Sequence, residues 1–177
     1  YKLEEIQQKD RILKAGSVVV DLGAAPGGWS QYAVRQIGSK GRIFALDILP
    51  MDELPGVEFI HGDFREAEPL DSLMKKLYGA HVDLVMSDMA PNISGMEAVD
   101  QPRSLYLMEL AAEFAAEVLR EGGDLLFKGF HGEGFDDLIK SLRSQYSKVL
   151  IRKPKASRPR SREVYVLAKG RRQPIVS

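Results

Sequence analysis

Short apolar runs alternate with stretches of helical spacing along most of the chain. Ser17–Leu22 (SVVVDL) is an apolar, β-branched run stopped by Gly23, and reads as a buried strand. Trp29–Ile37 has helical spacing, with Gly38 and Gly41 closing it. Gly41–Asp47 and Val57–Ile60 are predicted as the second and third strands, followed by a helix over Pro69–Tyr78. Val82–Ser87 is the fourth strand. Gln101–Leu119 is predicted as an amphipathic helix whose stripe of Leu105, Met108, Ala112, Ala115 and Leu119 faces the core. Gly123–Lys128 is the fifth strand, Phe135–Tyr146 a helix, and Lys148–Arg152 and Glu163–Ala168 the last two strands. Tyr1–Leu13 is predicted as an N-terminal helix (residues 1–13) preceding the core.

Strands separated by helices imply βαβ units and a mostly parallel sheet covered by helices on both faces. The connection before the last strand breaks that pattern. KPKASRPRSR has two prolines and no apolar periodicity, so residues 152–162 are a loop and not a crossover helix. Two strands joined this way can pair antiparallel. The expectation is therefore an α/β fold with seven strands, one antiparallel strand near the C-terminal end, and a single domain over residues 1–177.

Length and composition narrow the class. The chain has 177 residues, is 44% apolar and 28% charged, and lacks Cys. That suits one core and excludes wholesale disorder. Without Cys there are no disulfides and no thiolate metal sites, which fits a reducing compartment. His61, His81 and His131 lack metal-ligand spacing, so no metal is expected. No apolar run approaches the roughly 20 residues a membrane span requires. A cytoplasmic monomer is expected. The chain opens at Tyr1 without a Met, so a preceding segment is expected, and any targeting signal would lie there.

The net charge of zero conceals an asymmetry. Residues 141–177 hold eleven basic side chains and one acid, Glu163, so the first 140 residues carry the opposite balance. A basic C-terminal quarter points to a polyanionic partner, against the plainer reading of a solvated face.

The first strand runs directly into Asp21-Leu22-Gly23-Ala24-Ala25-Pro26-Gly27-Gly28-Trp29. A glycine-rich turn from a strand's carboxyl end into a helix is where open α/β sheets bind ligands. Ala25 occupies the second glycine position of the dinucleotide fingerprint, which disfavours a pyrophosphate and hence a nicotinamide dehydrogenase. Asp21, Asp47, Asp63 and Asp88 follow four successive strands, and Phe64 adds an aromatic beside Asp63. One such acid is an ordinary helix cap. Four at equivalent positions call for a ligand rich in hydrogen-bond donors and free of phosphate, and S-adenosylmethionine meets that description. Trp29 is a candidate wall of the same site.

Four segments then become recognisable: DLGAAPGGWSQ (Asp21–Gln31), SDMAPN (Ser87–Asn92), GEGFD (Gly132–Asp136) and SREVY (Ser161–Tyr165). Together they resemble the FtsJ/RrmJ (RlmE) family of S-adenosylmethionine-dependent ribose 2′-O-methyltransferases, over nearly the whole chain. The resemblance implies a Rossmann-like methyltransferase fold and methylation of a uridine in large-subunit (23S) ribosomal RNA. Relatives acting on tRNA or mRNA caps, and a non-catalytic RNA-binding module, stand as alternatives. It also implies a Lys-Asp-Lys-Glu tetrad at Lys2, Asp88, Lys128 and Glu163, with cofactor contacts at Gly27, Trp29, Asp47, Asp63 and Asp88, to which the loop and strand-end reading adds Gly23 and Phe64. One departure is visible: Gly129 stands where a larger residue is expected after Lys128, and an altered local loop is the expected consequence.

Methyl transfer to a ribose hydroxyl needs in-line alignment, which contributes about 7–11 kcal/mol to such steps. It also needs a proton acceptor, worth roughly 10²–10⁴-fold. Lys128 is the expected base, with Lys2 as a nearby cation positioning substrate and Asp88 and Glu163 as orienters. Lys2, Lys153, Lys155, Arg158 and Arg160 are the expected RNA contacts, through phosphates.

Overall fold

The computed structural model describes residues 2–25, 27–89, 97–155 and 162–173. The order of elements is α1 (Lys2–Asp10), β1 (Val18–Leu22), α2 (Gly28–Ile37), β2 (Arg42–Asp47), β3 (Val57–His61) and α3 (Ala67–Lys76). They continue as β4 (Val82–Ser87), α4 (Glu97–Val118), β5 (Leu119–Phe130), α5 (Phe135–Gln145), β6 (Tyr146–Arg152) and β7 (Glu163–Arg171). The strands form one seven-stranded sheet in the order β3-β2-β1-β4-β5-β7-β6. The first five pair in parallel, and β7 enters antiparallel between β5 and β6. The expected α/β architecture is borne out.

Alternation along the central strands supplies two cores, because successive side chains leave a strand on opposite faces. On one face Val20, Phe44, Val85 and Phe127 pack against α3, α4 and α5 through Leu73, Met108, Phe114 and Ile139. On the other, Val19, Ile43, Leu84 and Leu126 pack against α1 and α2 through Leu3, Ile6, Ala33 and Ile37. Both faces are thus closed by helices.

The ends of several elements differ from expectation. α1 stops at Asp10, three residues early, and Arg11 follows with φ at +50°. β5 and β7 extend to Phe130 and Arg171, past the predicted ends at Lys128 and Ala168. The extension of β5 takes its ladder partners from β7 and that of β7 from β6, an effect of pairing that no segment shows alone. Gly129 accordingly lies inside β5, opposite Val164, and not in an altered loop. A Cβ there would come 3.1 Å from Met108 Sδ and 3.2 Å from Phe135 Cε1. The space of the larger residue is filled from α4 and α5.

Leu84 is fully buried at the centre of the sheet. Leu84→Ala is expected to cost about 2–5 kcal/mol, read as a lower urea midpoint with an unchanged slope.

Candidate active site

The strand order reverses direction between β1 and β4, so the crevice for a ligand opens at the carboxyl ends of those two strands. The glycine-rich loop begins there. Gly23 N–H donates to Leu46 O at 2.8 Å, stitching the loop to the end of β2. Gly23 has φ at +73°, and a Cβ on it would stand 2.7 Å from Met89 Cγ. Gly27, with φ at +115°, initiates α2 in a conformation that side chains disfavour. Two of the positions singled out in the sequence are therefore glycine for reasons of backbone geometry and room.

The four acids meet different fates. Asp21 is fully buried at the end of β1, and Ser30 Oγ donates to its Oδ2 at 2.6 Å. Its Oδ1 is buried without a partner among the described residues. Burial, partly offset by Ser30 and reinforced by the Asp88 and Asp47 charges, pushes this carboxyl up to about 7. Asp47 Oδ2 accepts from Ala25 N–H at 2.7 Å and Oδ1 from Leu49 N–H at 2.9 Å. Arg65 forks Asp63, with Nε and Nη2 donating at 3.0 and 2.7 Å. That fork is the main reason the Asp63 carboxyl is held below its ordinary range. Phe64, expected as a cofactor contact, lies mostly on the core side of the loop. It is 6% exposed and packs edge-on against Phe114 with ring centroids 5.4 Å apart, supporting the loop from the core.

Asp88 closes the crevice. Its N–H donates to Leu22 O at 3.2 Å, and its carboxylate turns toward β5 and β7. Lys128 Nζ lies 3.3 Å from Asp88 Oδ1 and 4.0 Å from Glu163 Oε2. Lys2 Nζ meets Glu163 Oε1 at 2.6 Å. The four residues expected from the sequence, drawn from α1, the end of β4, β5 and β7, thus form one chain of alternating charge. The antiparallel entry of β7 causes this. It pairs Phe130 with Glu163 and Lys128 with Tyr165, bringing the start of β7 to the edge where β5 ends. The Glu163 carboxylate contacts both lysines, Lys2 through Oε1 and Lys128 through Oε2.

Tyr165 belongs to the SREVY segment, and the sequence alone assigns it no role. In the fold its hydroxyl donates to Asp88 Oδ1 at 3.2 Å, and its ring lies 5.7 Å from Trp29. Burial first, then the Asp88 and Glu163 charges, raise the phenol above its ordinary range and keep it a donor. A signal for it exists: Glu163 and Tyr165 are two residues apart on a strand and share a face. Burial raises the Asp88 carboxyl too, with Lys128 and Tyr165 opposing that rise.

The basic residues divide. Lys153 Nζ donates to Glu163 O, and Lys155 N–H donates to Glu5 Oε2 at 2.7 Å, so the root of the 152–162 loop lies beside α1 and Glu163. Arg158 and Arg160 lie outside the described residues. Among the described residues no cluster of His, Asp and Glu is suited to a metal ion, and no helix is long and apolar enough to cross a membrane.

A buried carboxylate oxygen without a partner among the described residues, two further carboxylates at the strand ends and glycines that leave room along the backbone define a crevice. It suits a small ligand bearing hydroxyl and cationic groups. The cluster of Lys2, Glu163, Lys128 and Asp88 on its far side suits an α/β transferase that brings such a donor to a second substrate. A family model described as FtsJ-like methyltransferase matches residues 1–171, and the chain belongs to that family. The resemblance read from the four sequence segments is borne out, as is the expectation of a methyltransferase.

Relatives agree. "Ribosomal RNA large subunit methyltransferase E" of Alkalilimnicola ehrlichii is 61% identical over 170 residues, covering 96% of this chain and 81% of its own. The protein of that name from Hydrogenovibrio crunogenus is 58% identical over 172 residues, covering 97% and 84%. Among solved structures, a putative ribosomal RNA methyltransferase of Plasmodium falciparum superposes with TM-score 0.85 at 28% identity, covering 97% of this chain and 95% of its own. An rRNA-methylase structure from Clostridium thermocellum has TM-score 0.60 at 18% identity, covering 96% and 97%, and is similar in fold.

The raised Asp21 carboxyl has a consequence for stability. The fold holds a proton that the unfolded chain releases at its ordinary value of 3.8, so this stabilising contribution is full below that pH and is lost as pH rises through about 7. Asp21→Asn keeps the shape of the protonated form. In the ligand-free protein its stability relative to the parent is expected to rise between pH 5 and pH 8, by on the order of 3 kcal/mol. Urea melts of both proteins across that range check this; a difference that does not change with pH contradicts it.

Proposed function

We propose that the chain transfers a methyl group from S-adenosylmethionine to the ribose 2′-hydroxyl of a uridine in 23S (large-subunit) ribosomal RNA. We further propose that it does so in the cytoplasm as a monomer, through one domain spanning residues 1–177. The observation that carries the reading is the run of contacts from Lys2 through Glu163 and Lys128 to Asp88, at 2.6, 4.0 and 3.3 Å. The names of the relatives support the substrate.

S-adenosylmethionine, when bound, supplies an electrophilic methyl on a sulfonium. The residues of the crevice suit its other groups. Asp21 offers a buried acceptor to a cationic group, Asp47 one to the ribose diol, and Asp63 one to the adenine amine. Gly23 and Gly27 leave room along the backbone, and Trp29 stands beside Tyr165 as a wall between the two substrates. The Nε and Nη2 of Arg65 are engaged by Asp63.

On the acceptor side, Lys128, deprotonated to the neutral amine for this step, takes the proton of the 2′-hydroxyl as the O–CH₃ bond forms and the methyl–sulfur bond breaks. Asp88 and Glu163 orient Lys128 from two sides, and Tyr165 fixes Asp88 by donating to it. Lys2 positions the ribose from the opposite flank of Glu163.

Lys128→Met is expected to lower the rate of transfer to assembled large subunits at least 10²-fold while leaving donor affinity within a few-fold. Glu163→Ala is expected to retain partial activity. Mapping the methylated nucleotide on subunits, naked rRNA, tRNA and capped mRNA tests the substrate; methylation of tRNA or caps alone overturns it. A second experiment addresses docking. Neutralising Lys155, Arg158 and Arg160, with Lys153 left on the Glu163 carbonyl, is expected to weaken RNA binding and flatten its salt dependence by up to about one counterion per lost contact. Donor binding should be unchanged. Salt plots of equal slope and height would reduce this stretch to solvated surface.

A further inference from the structure

Lys2 is the first described residue of α1, a helix of nine residues, and among the described residues the directional anchor of that helix lies at its other end. Asp10, the last residue of α1, is forked by Arg152, with Nη2 on Oδ1 at 2.8 Å and Nε on Oδ2 at 3.0 Å. The Asp10 side chain is 6% exposed and that of Arg152 23%. A planar two-bond fork in so enclosed a place fixes direction as well as distance. Lys169 Nζ adds a contact to Asp10 O at 3.4 Å from β7. Midway along α1, Glu5 accepts the Lys155 N–H. These three contacts all reach β6, β7 or the connection between them. The buried Leu3 and Ile6 of α1 also share a core cluster with Tyr165 and Leu167 of β7.

We propose that the Asp10–Arg152 fork is a positioning device for the reaction, locking the far end of α1 to the end of β6 so that Lys2 is held on Glu163. The inference rests on the reading of Lys2 as part of the site. The lever is simple. Lys2 and Asp10 are eight residues apart, about 12 Å along a helix, so a tilt of roughly 10° at the Asp10 end displaces Lys2 by about 2 Å. That displacement is enough to separate Lys2 Nζ from Glu163 Oε1. Apolar contacts at Leu3 and Ile6 are non-directional and leave such a tilt open. Arg152 also begins the basic connection, so the surface proposed to hold RNA phosphates and the helix carrying Lys2 share one anchor.

A double-mutant cycle on the full chain tests this, with single-turnover transfer to large subunits as the readout. Asp10→Asn keeps the shape of the side chain and removes its charge. It is expected to slow transfer about tenfold while leaving S-adenosylmethionine affinity within twofold. In a Lys2→Met background the same substitution is expected to slow transfer no further, because its effect is routed through Lys2. Arg152→Lys, which keeps the charge and loses the fork, is expected to behave likewise and serves if Asp10→Asn folds poorly. Equal slowing in both backgrounds would make the pair a stability element and overturn the proposal. An unchanged rate in Asp10→Asn and Arg152→Lys would overturn it too. If Lys2→Met alone transfers at the parental rate, the reading of Lys2 fails first and the proposal falls with it.

Discussion

Glu163 lies between two ammonium groups, and the acceptor half of the site depends on that placement. Half-buried lysines left facing each other would repel in a medium far less polarisable than water. With Glu163 in the gap, Lys2 and Lys128 are brought into one cluster, the first at 2.6 Å and the second at 4.0 Å from its carboxylate. Asp88 completes the alternation on the far side of Lys128. Such a cluster is a poor stabiliser, because desolvation offsets most of the Coulomb gain. Its value is geometric: each group has one place to be, and Tyr165 closes the set by donating to Asp88.

The direction of β7 makes the placement possible. In a wholly parallel sheet the start of a strand lies at the edge opposite the ligand crevice, and Glu163 would lie a full strand length from Lys128. Entering antiparallel, β7 brings its first residue opposite Phe130, at the carboxyl end of β5. The basic connection is a consequence of the same topology. The connection leaves β6 after Arg152 and enters β7 at Glu163, beside the end of β5, which is why Lys153 and Lys155 lie beside Glu163 and α1.

Much of this is legible in the residues. Apolar runs ending in Asp21, Asp47 and Ser87-Asp88 locate the strand ends, and a connection with two prolines and no apolar period implies the antiparallel strand. The tetrad is legible through the resemblance, since nothing local relates Lys2 to Glu163 across 161 positions. Other features depend on partners that a single segment does not show. Phe64 follows an acid beyond a strand end as a ligand contact would, and its edge-on packing against Phe114 of α4 supplies a partner its own segment does not show. Gly129 reads as a disturbed loop in isolation, because the side chains filling its space come from α4 and α5. Asp10 and Arg152, 142 positions apart, carry no motif and become a pair only when α1 is laid on the sheet edge.

Asp88 joins the two halves of the site, and its place follows from register. Its backbone N–H is bonded to Leu22 O, between Asp21 and Gly23, so the residue is tied to the donor crevice. Its side chain points the other way, to Lys128 and Tyr165. Side chains on a strand alternate faces, so a shift of β4 by one residue against β1 would exchange the places of Ser87 and Asp88 and turn the carboxylate out of the cluster. Val85 packing on one core and Leu84 and Met86 on the other hold that register. The hydrophobic pattern that makes β4 a strand is therefore the same constraint that keeps the Asp88 carboxylate against Lys128 and Tyr165.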